Sequence, residues 1–117
     1  MPFTVDRPQG GFIVIGQDGG VFTYDGAPFF GSLAGVGAKV ISGAWTPSGQ
    51  GYWLLGADGG VFSFGDAPYK GGFNALDAPT RGNRTPIGIA AEGNGYAIAT
   101  LDPSNDGSPF DIYRFGV

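Results

Sequence analysis

Gly11 to Ser32 reads GFIVIGQDGGVFTYDGAPFFGS, and Gly51 to Gly72 reads GYWLLGADGGVFSFGDAPYKGG. Aligned without gaps, the two segments are identical at 10 of 22 positions, and most of the remaining pairs exchange like for like. The repeat period is 40 residues. A third, degenerate copy begins at Gly95-Tyr96, 44 residues after Gly51, with Ile112-Tyr113-Arg114-Phe115-Gly116 standing where Val61-Phe62-Ser63-Phe64-Gly65 stood. Its central turn is longer by seven residues. Self-similarity at such a period marks an architecture in which one supersecondary unit is used several times.

The unit reads as three short antiparallel strands. Its middle strand is the apolar run Phe12-Ile13-Val14-Ile15 or Tyr52-Trp53-Leu54-Leu55, short and rich in β-formers, as a strand buried on both faces should be. Asp18-Gly19-Gly20 and Asp58-Gly59-Gly60 then supply the positive φ angles of a tight hairpin. The third strand alternates, so that Phe22 and Tyr24, Phe62 and Phe64, and Tyr113 and Phe115 form an aromatic ladder, one rung pair per copy. Upstream of each middle strand lies a further β-prone stretch closed by a Gly-rich turn: Phe3 to Asp6, Val40 to Trp45 and Ile87 to Ala91. The connectors, Asp25 to Lys39 and Gly65 to Pro86, lack a 3.6-residue apolar period, so essentially no helix is expected.

Repeats of this length suggest propeller blades. The expectation is an all-β, propeller-like single domain over residues 1–117, with blades at about 3–32, 40–72 and 86–117. Closed propellers typically hold about four to eight blades, so three copies leave an edge problem. Two solutions are open. One is a small three-bladed ring, with Gly43 and Gly88 letting the inner strands approach the axis, and the other is a larger ring completed by oligomerisation.

Composition narrows the chemistry. The 117 residues include 24 Gly, no Cys and no His, with 42% apolar, 15% aromatic and 14% charged residues and a net charge of -4. Such a chain can bury a core. Without Cys or His there are no disulfides, thiolate nucleophiles, imidazole bases or zinc sites of the usual kind. The acidic excess argues against a nucleic-acid surface. No apolar run is long enough to span a membrane, and the first residues, Met1 to Arg7, do not read as a signal peptide.

The segment Gly51 to Gly71, and more loosely Gly11 to Ser32, resembles a β-repeat family of actinobacterial surface proteins and of tail or lysis-associated proteins of their phages. Its unit looks like Gly-Tyr-Trp-Leu-Val-x-x-Asp-Gly-Gly-Val-Phe-x-Phe-Gly-Asp-Ala. The third copy departs from it, since Leu101 to Pro109 replaces the Asp-Gly-Gly turn. The resemblance implies a non-catalytic module of the cell surface or virion and carries no catalytic residues. The expected function is a structural or binding component of a phage virion, a minor tail or tail-tip protein made in the host cytoplasm. Its expected partners are other virion proteins or further copies of itself, with no cofactor. The alternative is a carbohydrate-binding module for actinobacterial envelope polysaccharide, placed at the cell surface as part of an assembly.

Candidate ligand-binding residues follow from side-chain type. Trp45, beside a Thr-Pro-Ser-Gly turn, together with Tyr69 and Phe73, offers aromatic faces for sugar stacking. Arg81 and Arg84 form a short basic loop suited to phosphate or an acidic partner. Asp102, Ser104 and Asp106 match the first half of a calcium loop, but Tyr113 stands where the bidentate Glu belongs, so no metal site is assigned. Asp18 and Asp58 are the most regular carboxylates, and their turn positions account for them.

Overall fold

The computed structural model describes residues 2–104, 107 and 109–117. Among these residues nine strands form three antiparallel sheets of three strands each. The first sheet holds β1 (Phe3–Asp6), β2 (Phe12–Ile15) and β3 (Val21–Tyr24), and the second holds β4 (Val40–Trp45), β5 (Gly51–Gly56) and β6 (Val61–Gly65). The third holds β7 (Thr85–Glu92), β8 (Gly95–Leu101) and β9 (Phe110–Phe115). Strand order follows chain order in every sheet, so each repeat is one meander. The all-β architecture and the three-strand unit match the reading of the repeats. Among the described residues no helix is long and apolar enough to cross a membrane.

Two short helical turns interrupt the second connector, where none was expected. Phe73–Ala75 makes one 3₁₀ turn, and α1 spans Ala78–Arg81. Pro79 pre-sets the helical φ in the first turn of α1, and Gly82, at φ 50°, ends it.

The Asp-Gly-Gly turns are built alike. The Asp18 carboxylate accepts the Gly20 N–H at 2.9 Å, and Asp58 accepts the Gly60 N–H at 2.8 Å. Only the first glycine of each turn has positive φ, 88° at Gly19 and 90° at Gly59. It also needs to be small: a Cβ on Gly19 would lie 2.5 Å from that of Leu33, and one on Gly59 2.8 Å from that of Phe73. Each connector thus folds back over the hairpin turn of its own repeat. Leu33 N–H donates to Gly19 O at 2.8 Å, and Phe73 N–H donates to Gly59 O at 2.9 Å.

The sheets stand in a row, and the substantial contacts between them run from β1 to β4 and from β4 and β5 to β7. The molecule is accordingly elongated, 43 × 29 × 23 Å. The inner strands lie closest. A Cβ on Gly43 would sit 2.7 Å from Ile15 Cδ1, whereas one on Gly88 would have room, 3.8 Å from Ser42 Oγ. Close approach therefore explains Gly43 but not Gly88.

Two separate cores fill the two seams. Ile13, Ile15, Val21 and Leu33 pack against Val40, Trp45, Tyr52 and Leu54 in the first. Ala44, Trp53, Leu55, Val61 and Phe73 pack against Ile89, Tyr96 and Ile98 in the second. Strand β5 serves both cores and is buried at all six residues. Strand β2 is buried only at alternate residues, because the first sheet has a neighbour on one side alone.

Candidate functional site

One polar-group device recurs at both seams, and a second is present at the second seam alone. Tyr52 Oη accepts the Phe30 N–H at 3.0 Å and donates to Gly31 O at 2.6 Å. Tyr96, at the same place in the third copy, accepts the Lys70 N–H at 2.8 Å and donates to Gly71 O at 2.5 Å. Each tyrosine therefore grips the tail that follows Ala-Pro in the preceding repeat. Burial raises the pKa of both phenols, and the hydrogen bonds to tail backbone only partly oppose it. The second device lies between the inner strands: Ser42 Oγ accepts the Ile89 N–H at 3.1 Å.

Strand alternation gives each sheet a face toward the preceding repeat and a face toward the following one. In the second and third sheets the preceding-side face carries Tyr52, Leu54, Phe62 and Phe64, and Tyr96, Ile98, Tyr113 and Phe115. The same positions in the first sheet are Phe12, Val14, Phe22 and Tyr24, and among the described residues no further sheet packs on them, leaving Phe12 and Val14 half-buried and Phe22 and Tyr24 exposed. Phe22 is 58% exposed, and the Phe12 and Tyr24 rings stack on one another at 5.3 Å.

The third sheet has the opposite bare face. Its rows are Gly88, Ala99 and Ile112, and Ala90, Ala97 and Arg114. Small residues in the two inner strands leave an apolar hollow of about 230 Å³, lined by Gly88, Ile89, Ala90, Ala97, Ala99 and Ile112. Ile112 is 49% exposed. Arg114 borders the face and pairs with Glu92 at 2.6 Å.

A polar hollow of about 220 Å³ lies at one end of the second seam, with Thr46, Ser48, Trp53, Asp66 and Asn94 in its wall. The Asp66 carboxylate draws the β4–β5 turn together: the Thr46 hydroxyl is 2.9 Å from Oδ1, and the Ser48 hydroxyl bonds Oδ2. Asp66, directly before Ala67-Pro68, thus serves a turn remote from its own. The signal for this role was its mismatch with Gly26 in the first copy, where the corresponding turn is tied instead by Gln9 Nε2 donating to Pro47 O at 2.7 Å.

The residues singled out for aromatic stacking do not form one platform. Trp45 is only 4% exposed, so its ring is not open to a stacking ligand. Its ring meets Tyr52 edge-on at 5.0 Å, Arg7 covers it at 5.6 Å, and Nε1 donates to Val5 O at 3.2 Å. Its position at the end of β4 turns the indole into the first seam, away from the adjacent turn. Phe73 is 2% exposed, packed over Gly59 and 5.2 Å from Tyr113, and so is also withdrawn from ligands. Tyr69 is 60% exposed, in the tail whose next residue is held by Tyr96.

Both arginines are committed within the chain, Arg81 to its own loop and Arg84 to that loop and to β9. Arg81 Nε donates to Leu76 O at 2.8 Å. Arg84 Nε meets Asp111 Oδ2 at 2.8 Å and its Nη1 donates to Thr80 O at 2.9 Å, and the Asp111 hydrogen bond raises the guanidinium pKa further. In the long turn of the third repeat, Asp102 accepts the Ser104 N–H at 3.1 Å and its hydroxyl at 2.6 Å, which lowers the carboxyl pKa. Asp106 lies outside the described residues. Among the described residues no three acidic side chains gather as a metal-binding group.

No protein-family model matches this chain, and neither the curated proteins nor the solved structures contain a significant match to it.

Proposed function

We propose that this chain is a non-catalytic assembly protein of a phage particle, a minor tail or tail-tip component that docks on its neighbours through the faces of its terminal sheets. The observation that carries this reading is the pair of apolar faces at the two ends of the row, one with Phe22 and Tyr24 in solvent and the other with the Ile112 hollow. Contiguous exposed apolar surface of this kind marks a protein contact. The resemblance of Gly51 to Gly71 to repeats of actinobacterial surface and phage tail proteins supports the virion setting. Its most regular carboxylates, Asp18 and Asp58, are spent on turn N–H groups, which fits a repeat scaffold. Deleting the gene from its phage abolishes particle assembly on this reading. Intact, infectious particles lacking the protein overturn it.

A second reading, binding of envelope polysaccharide, draws on the hollow at one end of the second seam, where Asp66, Ser48 and Asn94 share the wall with Trp53. A few convergent polar groups beside an aromatic side chain suit a sugar hydroxyl pattern. This reading predicts saturable co-sedimentation with actinobacterial envelopes, competed by soluble envelope polysaccharide and weakened in Asp66→Asn. Envelopes that leave the protein in the supernatant count against it.

A further inference from the structure

The two bare faces are the two halves of an interface that the molecule already makes twice. In the first seam the row Trp45, Tyr52 and Phe64 faces the row Val5, Ile13 and Thr23, as the hydrogen bond from Trp45 to Val5 shows. In the second seam the row Ala91, Tyr96 and Phe115 faces the row Ala44, Trp53 and Ser63, with Trp53 and Tyr96 5.1 Å apart. The repeat therefore stacks head to tail, the preceding-side face of one sheet on the following-side face of the last. The halves without a neighbouring sheet are the row Asp6, Phe12 and Tyr24 at one end, where Tyr24 is exposed, and the row Ala90, Ala97 and Arg114 at the other, where Ala90 and Arg114 are exposed.

Building on the docking role proposed above, we infer that the occupant of both faces is a second copy of this chain, so that two chains close one six-sheet ring. Shape favours this partner. The first sheet keeps the projecting aromatic pattern of the other two, while the third sheet replaces the large Ile13 and Trp53 by Ala97, and Ile15 and Leu55 by Ala99. A projecting face thus meets a hollow one. At the outer strand, the seams place small Thr23 and Ser63 opposite the aromatic of the next sheet. The third copy has Arg114 there, which sets a guanidinium against the Tyr24 ring, a favourable cation–π pair.

The first sheet also differs from the others in one polar group. Tyr52 and Tyr96 use their hydroxyls to hold the tail of the preceding repeat, but the corresponding residue is Phe12. Ring size then sets the copy number. Three-sheet chains make rings only in multiples of three, and within the usual range of about four to eight blades that leaves six. Because the contact joins unlike faces, it occurs twice around a two-fold axis.

Sedimentation equilibrium on the purified chain tests this. The expected mass is about 24 kDa, twice the 12.0 kDa of one chain. Phe22→Asp and Ile112→Asp alter exposed side chains on opposite faces, and each alone gives the single-chain mass with an unchanged circular dichroism spectrum. Mixing the two variants restores the doubled mass, because one contact then joins two unaltered faces. Wild-type protein that stays at the single-chain mass at about 100 µM overturns the inference, as does an Ile112→Asp variant that still pairs, or a mass that climbs with concentration without a plateau. A single-chain mass combined with defective particles from a Phe22→Asp phage removes the second copy as partner while leaving the docking role in place.

Discussion

Phe62 and Phe64 hold the same places in the repeat as Phe22 and Tyr24, yet the first pair is half-buried in a seam and the second stands in solvent. Nothing in their local sequence separates them. Val61-Phe62-Ser63-Phe64 and Val21-Phe22-Thr23-Tyr24 are both alternating strands after an Asp-Gly-Gly turn, paired in the same register with their middle strands. The difference is the presence of a preceding sheet. An aromatic ladder built for stacking is thus satisfied twice and left open once, and the open rung is the part of the molecule available to a partner.

The sharpest way to break this comparison is to remove a large side chain from a filled seam. Trp53→Ala lowers the free energy of unfolding by about 3–5 kcal/mol, since it empties a fully enclosed site. It also frees Pro68 O, which the indole Nε1 now bonds at 2.8 Å. Denaturant titration of the single-chain form reads the loss, and a change under about 1 kcal/mol would mean that the second seam contributes little to stability.

Next come the tail grips. Tyr52→Phe or Tyr96→Phe keeps the ring and leaves one backbone N–H and one C=O without their partner, a cost of about 1–3 kcal/mol. The reverse change, Phe12→Tyr, adds a hydroxyl where no tail lies and yields no gain in melting temperature. A matching stabilisation in Phe12→Tyr would show that the first sheet is not the open end of the row.

The same phenols predict a pH dependence. Their folded pKa values lie above the ordinary 10.0, so the folded chain holds protons that the unfolded chain releases first. The stability they contribute is whole below pH 10 and declines as pH rises through the raised folded values. Urea midpoints measured from pH 8 upward should be flat and then fall, and the fall should be shallower in the double variant Tyr52→Phe/Tyr96→Phe. A midpoint that falls as steeply in the double variant assigns the alkaline loss to other groups.

The smallest effect belongs to the open face. Phe22→Ala in the Ile112→Asp background changes unfolding by no more than about 0.5 kcal/mol, as expected of an exposed side chain with no neighbour to lose. The corresponding Phe62→Ala, inside the first seam, costs several times more. Equal effects at the two positions would mean that Phe22 is covered within its own chain.

Much of the fold was legible because it rests on local rules. The 40-residue identity located the repeats, alternation located the faces, and Asp-Gly-Gly located the hairpins, where a positive φ and a side-chain acceptor are needed within one turn. The short α1 was missed because a single turn has no apolar period to detect, although Asp77-Ala78-Pro79 and Gly82 are start and stop signals in hindsight. The candidate sites were less legible. Trp45 was singled out for stacking because of its neighbouring turn, but the seam contacts that bury it beside its strand partner Tyr52 come from Val5 and Phe30, remote in sequence. Arg84 looked free for the same reason: Asp111 lies 27 residues away.

The sequence by itself determined the unit: three strands, their turns, their register and the two apolar faces that every copy presents. Those properties depend on residues a few positions apart, where backbone dihedrals and side-chain alternation are set. Only the tertiary structure decided which faces are filled. Burial is a property of the neighbouring sheet, so closely similar strands become seam in the second repeat and exposed surface in the first, and the same rule that closes two seams leaves the ends of the row open.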